Sequence, residues 1–219
     1  MNILIVAATP LEVAATRQYL TEKIYQRRKR NIEILITGVG LVNTTYTLSK
    51  YLSGNKPDLA IQSGIGGSFH PFYPPGTVTV VAEEVFGDLG VKEGNEFKDI
   101  FDLSLAENSF PFSGKLLVNP HKPLCNKAKL RNVRGLSVNE ITTDSKRIQQ
   151  LIEKYSVIVE SMEGAAFHYV CLQENIPFVQ LRAISNFVGE RDKSKWQMKE
   201  AIENLNRELI ALIRPLLSH

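Results

Sequence analysis

The sequence predicts an α/β fold whose sheet is covered by helices on both faces, and two patterns carry that expectation. Short apolar runs of strand length alternate along the chain with segments whose apolar residues recur at helical spacing. The runs are apolar throughout instead of alternating, as buried strands require, and several end in glycine-rich turns. A length of 219 residues, 43% hydrophobic and 22% charged, fits one globular domain spanning 1–219 with a substantial core.

Asn2 to Ala8 reads as the first strand and Leu11 to Leu20 as the helix that follows it. Ile32 to Thr37 is a second strand. Gly38-Val39-Gly40 forms a tight turn into a helix from Leu41 to Leu52, with Gly54 close behind as a stop signal. Pro57-Asp58 leads into a strand from Leu59 to Gln62, which Ser63-Gly64-Ile65-Gly66-Gly67-Ser68 ends as a loop. Gly76 to Val85, rich in Thr and Val, is strand-like, while Phe86 to Pro123 lacks a sustained period and predicts strands with long loops. Alternation resumes after Asp144 with a helix to about Lys154, the strand Ser156 to Val159, and a helix from Met162 to Gln173. The strand Phe178 to Ile184 and a terminal helix from about Ser194 to Leu212 complete the chain.

Composition removes several function classes. No basic segment leads into an apolar h-region and no run of about eighteen apolar residues occurs, so a cytoplasmic protein without membrane contact is expected. Cys125 and Cys171 lie far apart without metal-knuckle or redox spacing, and read as reduced, small apolar side chains. The four histidines are scattered, and no metal site is expected. A formal net charge of +3 is too small for a nucleic-acid surface. The dense run Arg27-Arg28-Lys29-Arg30 has no interleaved aromatic residues to stack bases, and reads as a solvated turn before the second strand.

Gly38-x-Gly40 between a strand and a helix invites a dinucleotide-binding reading, which fails on two points. Asn43 replaces the third glycine, and Asp58 begins its strand where a ribose-binding carboxylate would stand at the strand's carboxyl end. The glycines at 64, 66 and 67 supply turn conformations, and they also let a flat purine or a sugar approach the backbone.

Three charged residues have chemical potential beyond a structural one. Thr9-Pro10-Leu11-Glu12 matches a capping box, which is what its spacing alone favours; standing just past a strand end, Glu12 could equally be a general base activating water. Glu163 suits the positive end of a helix. Its small or apolar neighbours Met162, Gly164, Ala165 and Ala166 would also let a ligand sit close, with the carboxylate binding ribose hydroxyls and stabilising an oxocarbenium centre. Arg182 lies in an otherwise apolar strand and needs a carboxylate or a role in a site; the two readings are equally open. Ser185 and Asn186 leave that strand at its carboxyl end, where turn chemistry alone would explain them.

These segments together resemble the nucleoside phosphorylase and nucleosidase superfamily. Ala8 to Glu12, Thr37 to Asn43, Pro57 to Gly67, Val159 to Ala166 and Arg182 to Asn186 look, in that order, like the methylthioadenosine and adenosylhomocysteine nucleosidase branch. The resemblance implies a three-layer α/β/α sandwich around a mixed sheet, a homo-oligomer (commonly a dimer), a small-molecule nucleoside substrate and no cofactor. It implies that Glu12 and Arg182 position the attacking water, that Met162 and Glu163 bind ribose, and that residue 186 meets the purine. Ile65, Gly66, Gly67 and Ser185 complete the expected substrate contacts. The branch's Ser-Gly-Asp-x-Phe segment is replaced by Thr142-Thr143-Asp144-Ser145-Lys146, which leaves the aromatic partner of the base missing or supplied from elsewhere.

Phe86-Gly87-Asp88-Leu89-Gly90 and Asn186 bring the chain towards the futalosine hydrolase group of that branch, since the adenine-specific enzymes carry Asp at the latter position. A 6-aminopurine offers an acceptor at N7 beside a donor at N6, whereas a 6-oxopurine offers two acceptors, N7 and O6, which an amide NH2 can serve. Hypoxanthine is therefore the expected base. The benzoate tail of futalosine calls for a cation and apolar walls, for which Phe86 to Pro123 offers several candidates. A methylthioadenosine/adenosylhomocysteine nucleosidase, a purine nucleoside phosphorylase on the same fold and a non-enzymatic purine-binding module remain the alternatives.

Overall fold

A computed structural model describes residues 1–24, 32–94 and 96–217; the basic run at 27–30 lies outside them. Strand β1 (Ile3–Ala7) passes through a 3-10 turn (Pro10–Val13) into α1 (Ala14–Ile24). β2 (Ile32–Ile36), α2 (Leu41–Leu52), β3 (Leu59–Ser68) and β4 (Val78–Phe86) follow. The hairpin β5 (Gly90–Glu93) and β6 (Glu96–Asp99), the short β7 (Leu117–Val118), α3 (Lys122–Asn126) and β8 (Asn132–Ser137) make up the middle. α4 (Ser145–Tyr155), β9 (Val159–Ser161), α5 (Gly164–Gln173), β10 (Phe178–Phe187) and α6 (Met198–Leu217) close the chain.

The period-2 geometry of β1 distributes its residues between two helical layers. Ile3, Ile5 and Ala7 pack with Leu20 of α1 and with Leu205, Leu209 and Ile213 of α6. Leu4 and Val6 pack with Leu48 of α2 and with Phe167 and Val170 of α5. α5 is apolar on nearly every side because it is buried on nearly every side, and Phe167 meets Phe178 edge-on at 5.6 Å. Full burial of a ring of that size stabilises the layer contact by roughly 2–3 kcal/mol.

The sheet is mixed. β1 pairs parallel with β2 and β3, and β3 parallel with β10, while β10 runs antiparallel to β4 and β3 antiparallel to β9. Because β4 also pairs with β8 and β8 with β9, the strands β3, β10, β4, β8 and β9 close into a ring.

Three sequence expectations are corrected. The glycines at 64, 66 and 67 form no loop: β3 runs through them to Ser68, paired with β10 along its length. They are glycines because the space beside the strand is taken, since a Cβ on Gly66 would come within 2.7 Å of the Glu160 carbonyl oxygen. The strand expected from Ser156 begins at Val159, because Ser156 adopts a left-handed conformation (φ 53°) that ends α4. β10 extends past Ile184 to Phe187 with an irregularity between Ile184 and Asn186, where Ser185 is the extra residue. The segment after Phe86 is held by charge: buried Asp99 accepts from the Tyr155 hydroxyl at 2.9 Å and pairs with Lys115 at 3.3 Å and Lys154 at 3.2 Å.

Candidate active site

Two strands share one edge of β3 without meeting. β1 accompanies it as far as Gln62 and β9 joins it at Gly67, so among the described residues no strand pairs with 63–66 on that side. The Ile65 backbone turns to side chains instead: its N–H donates to Glu12 Oε1 at 3.2 Å, and its carbonyl accepts from Arg182 Nη1 at 3.2 Å. A split of this kind at strand ends is where α/β sheets form ligand crevices. Here it opens into a cavity of about 310 Å3.

Glu12 satisfies both of its sequence readings at once. Its Oε2 accepts from the Thr9 N–H at 2.9 Å and from the Thr9 hydroxyl at 3.2 Å, closing the box at the 3-10 turn, while Oε1 faces Ile65 across the cavity floor. Burial raises its carboxyl above the usual carboxylate range against the opposing pull of Arg182. A carboxylate shifted upward is a better proton acceptor near neutral pH.

Arg182 is 1% exposed, and its guanidinium reaches Glu163 Oε2 at 3.1 Å and Gln62 Oε1 at 3.1 Å. A Cβ on Gly64 would overlap that guanidinium and lie 3.3 Å from Glu12 Oε1, so glycine is required there by close approach. Glu163 stands at the N-cap of α5 but leaves the capping to others: the Gly164 N–H donates to the Ser161 hydroxyl oxygen and the Ala165 N–H to that of Ser137. Its freed Oε1 accepts from the Gly40 N–H at 3.2 Å, the task the Gly38–Gly40 turn serves here. Asp58, by contrast, binds the Asn2 N–H at the opposite end of β3.

All the site residues expected from the sequence except Arg182 line this cavity: Glu12, Ile65, Gly66, Gly67, Met162, Glu163, Ser185 and Asn186. Arg182 stands behind Glu163. The Asn186 amide is oriented by a group that can only accept, since Nδ2 lies 2.8 Å from the Phe187 carbonyl oxygen; Oδ1 takes the Ser185 hydroxyl at 2.7 Å. One N–H remains for a ligand, so the amide has one donor to offer and not the two that the bare residue suggests.

Several residues of the site escaped the sequence reading. Glu160 and Trp196 line the cavity, and no described residue of 86–123 does. Trp196 supplies an aromatic wall where the expected Phe is absent, and Arg191 lies with its guanidinium 5.5 Å from the Trp196 ring centre. Glu84 is fully buried beneath α5, held by Gln180 Nε2 at 2.8 Å and the Ser137 hydroxyl at 3.1 Å. A pair of glutamates in a strand as apolar as β4 was the available signal. No metal-binding cluster occurs among the described residues.

Fold and cavity suit an α/β enzyme that works on a small polar ligand held at strand ends. The chain belongs to the phosphorylase superfamily, whose family profile matches residues 2–217. It is 33% identical to a futalosine hydrolase of Thermus thermophilus over 183 residues, 82% of this chain and 80% of the relative. It is 26% identical to a 5'-methylthioadenosine/S-adenosylhomocysteine nucleosidase of Chromohalobacter salexigens over 197 residues, 87% of this chain and 82% of the relative. The structure of futalosine hydrolase from Helicobacter pylori superimposes with a TM-score of 0.79 at 16% identity, covering 98% of each chain, which is a likeness of fold.

Burial pushes the Glu84 carboxyl up to about 7, outweighing Gln180, Arg182 and Ser137. The native state therefore holds this proton more tightly than the unfolded chain, whose value is 4.5, and the associated stability is present at low pH and lost as pH rises through about 7. Glu84→Gln keeps the shape and removes that slope. Between about pH 5 and about pH 8, urea unfolding should show the variant gaining on the wild type by on the order of 2 kcal/mol. A constant difference across that range would mean that Glu84 is ionised in the fold throughout.

Proposed function

We propose that this chain hydrolyses the N-glycosidic bond of futalosine, releasing hypoxanthine and dehypoxanthine futalosine. The observation that carries this reading is the Asn186 amide on the cavity wall, whose Nδ2 keeps one N–H beyond its bond to the Phe187 carbonyl. One N–H can serve either N7 or O6 of a 6-oxopurine, both of them acceptors. The similarity to the futalosine hydrolase of Thermus thermophilus supports the same substrate.

In this reading Glu12 takes a proton from water as it attacks C1′, and the bond to N9 breaks with its electron pair leaving on the base. Glu163 has lone pairs to spare beyond those used by Gly40 and Arg182, and accepts from ribose hydroxyls while its charge favours the oxocarbenium-like centre. Asn186 is a poor acid, so it stabilises the departing base by hydrogen bonding and N7 is protonated through water. Arg191 has no carboxylate paired with it among the described residues, and stacked near Trp196 it suits an aromatic carboxylate tail better than a neutral methylthio group. A second carboxylate beside the nucleophile position favours water over a phosphate dianion.

A homodimer is part of this proposal. Val39, Val42 and Tyr46, 48%, 78% and 65% exposed, form an apolar stripe along the start of α2, and Val39 also lines the cavity. A second copy on this face would cover the stripe and finish the cavity rim. Sedimentation equilibrium should give the mass of a dimer, and Val42→Glu with Tyr46→Glu the mass of a monomer; a monomeric wild type removes this part of the proposal.

Incubation with futalosine and with methylthioadenosine, with and without phosphate, tests the reaction. Phosphate-independent release of hypoxanthine is expected; faster adenine release would reverse the substrate, and a sugar 1-phosphate product would reverse the mechanism. Glu12→Gln keeps one oxygen to accept from the Thr9 N–H but turns its NH2 on the Ile65 N–H, so the variant should fold with a melting temperature lowered by a few degrees while turnover falls by at least about a hundredfold. Unaltered turnover would leave Glu12 a cap alone. Asn186→Asp should move the kcat/KM ratio of the 6-oxo and 6-amino substrates by at least roughly tenfold towards adenine, and an unmoved ratio would place base choice in another residue.

A further inference from the structure

Asn206 of α6 is 2% exposed and makes every hydrogen bond that its amide can make. Oδ1 accepts from the Thr16 N–H at 2.9 Å and from the Thr16 hydroxyl at 2.7 Å, while Nδ2 donates to the Glu12 carbonyl at 3.0 Å and to the Ile202 carbonyl at 2.8 Å. All but the last of these cross to a segment 190 or more residues earlier in the chain. The Thr16 N–H can only donate and the two carbonyls can only accept, so the amide has a single orientation.

Glu12 and Thr16 have the spacing at which an α-helix joins a carbonyl directly to the N–H four residues on. Here the Asn206 amide stands between the two and takes both ends of that bond. The winding of the chain changes at the same place. α1 begins only at Ala14, and Pro10–Val13 before it is a 3-10 turn, closed by the Ala14 N–H on the Leu11 carbonyl. A side chain inserted into the helical ladder causes breaks of this kind. Each residue advances by about 120° in a 3-10 turn and by about 100° in an α-helix, so winding the two into one helix would swing Glu12 by roughly 40° relative to Pro10.

We propose that Asn206 is a positioning residue for the reaction, fixing the main chain of Glu12 so that its carboxylate faces the water that attacks the sugar. The role rests on the reading of Glu12 as the general base, and it is independent of which purine leaves. Glu12 is held from both ends: Thr9 and the Ile65 N–H fix its carboxylate, and Asn206 fixes its carbonyl. α6 also lines the cavity with Met198 and Ile202, and the Ile202 carbonyl takes the other N–H of the same amide. Seating α6 on the sheet and placing the base are therefore one event.

Asn206→Leu keeps a side chain of similar size and removes all four bonds. The Thr16 N–H and the Glu12 carbonyl are then free to bond to each other, which spares the fold and lengthens the helix. Assayed on whichever of futalosine and methylthioadenosine the wild type cleaves faster, the variant should lose roughly ten- to a hundredfold in kcat with KM changed by less than about threefold, the scale for a reacting group misplaced by about an ångström. Asn206→Ser, whose hydroxyl can bond back to the Ile202 carbonyl, reads the same way if the leucine variant does not fold. The deciding measurement combines the substitution with Glu12→Gln. Once the base is gone its placement has no further effect, so Asn206→Leu should leave the residual turnover of Glu12→Gln where it was, whereas a mere loss of folded protein would lower both backgrounds alike. Equal losses in the two backgrounds, or an unchanged kcat in Asn206→Leu, overturn the role of Asn206 and leave Glu12 as the base. Full turnover in Glu12→Gln alone overturns the base itself, and the positioning role with it.

Discussion

The ion pair between Arg182 and Glu163 is the constraint around which the rest of the site is arranged. A guanidinium 1% exposed inside a strand is tolerable only with a partner carboxylate and further hydrogen bonds, and losing one member of such a pair typically costs about 3–5 kcal/mol. Each neighbouring feature follows from that requirement. Gly64 has no side chain because the guanidinium occupies its place, Gln62 and the Ile65 carbonyl take the remaining donors, and α5 is capped by serines so that Glu163 is free to face inward. The cation is also shared unequally. Glu163 has the direct contact, whereas Glu12 receives only a longer-range attraction and burial prevails there. Two carboxylates in different surroundings thus share one arginine.

Backbone hydrogen bonding does the rest of the placing. Where β1 ends and β9 has yet to begin, the bare edge of β3 must find donors and acceptors elsewhere, and Glu12 and Arg182 are what it finds. The opening in the sheet and the chemistry at its floor are therefore the same feature. A strand of glycines keeps that floor low.

Much of this was legible in the sequence and some was not, for identifiable reasons. The bounds of α2 follow from Leu41 and Leu52 because its periodicity, the preceding glycine turn and the following stop agree. β8 escaped because it carries Arg134 and Gly135, and Gly135 is there to admit the buried Glu84: a Cβ would come within 2.6 Å of that carboxylate. Glycine in β3 read as a loop for the same reason, since a missing side chain looks alike whether it grants a turn or makes room. Glu12, Arg182 and Glu163 were legible as charges out of place, at a strand end, in an apolar strand and among small residues. Glu84 and Glu160 sit in strands where a carboxylate could as well have faced solvent, and only the register between distant strands reveals that they do not.

The closed ring of strands has a consequence for how the molecule comes into being. β10 is inserted between β3 and β4, although both of those strands precede it by about a hundred residues or more, far beyond the local contacts that speed folding. A nascent chain released only as far as Pro177 exposes an open edge on each of them, and lacks Arg182 to hold the two acidic side chains at its centre. Synthesis must reach its last fifth before Ser185, Asn186 and Arg182 can complete the pocket. Until β10 arrives, two strand edges that the finished molecule keeps paired stand open to other chains.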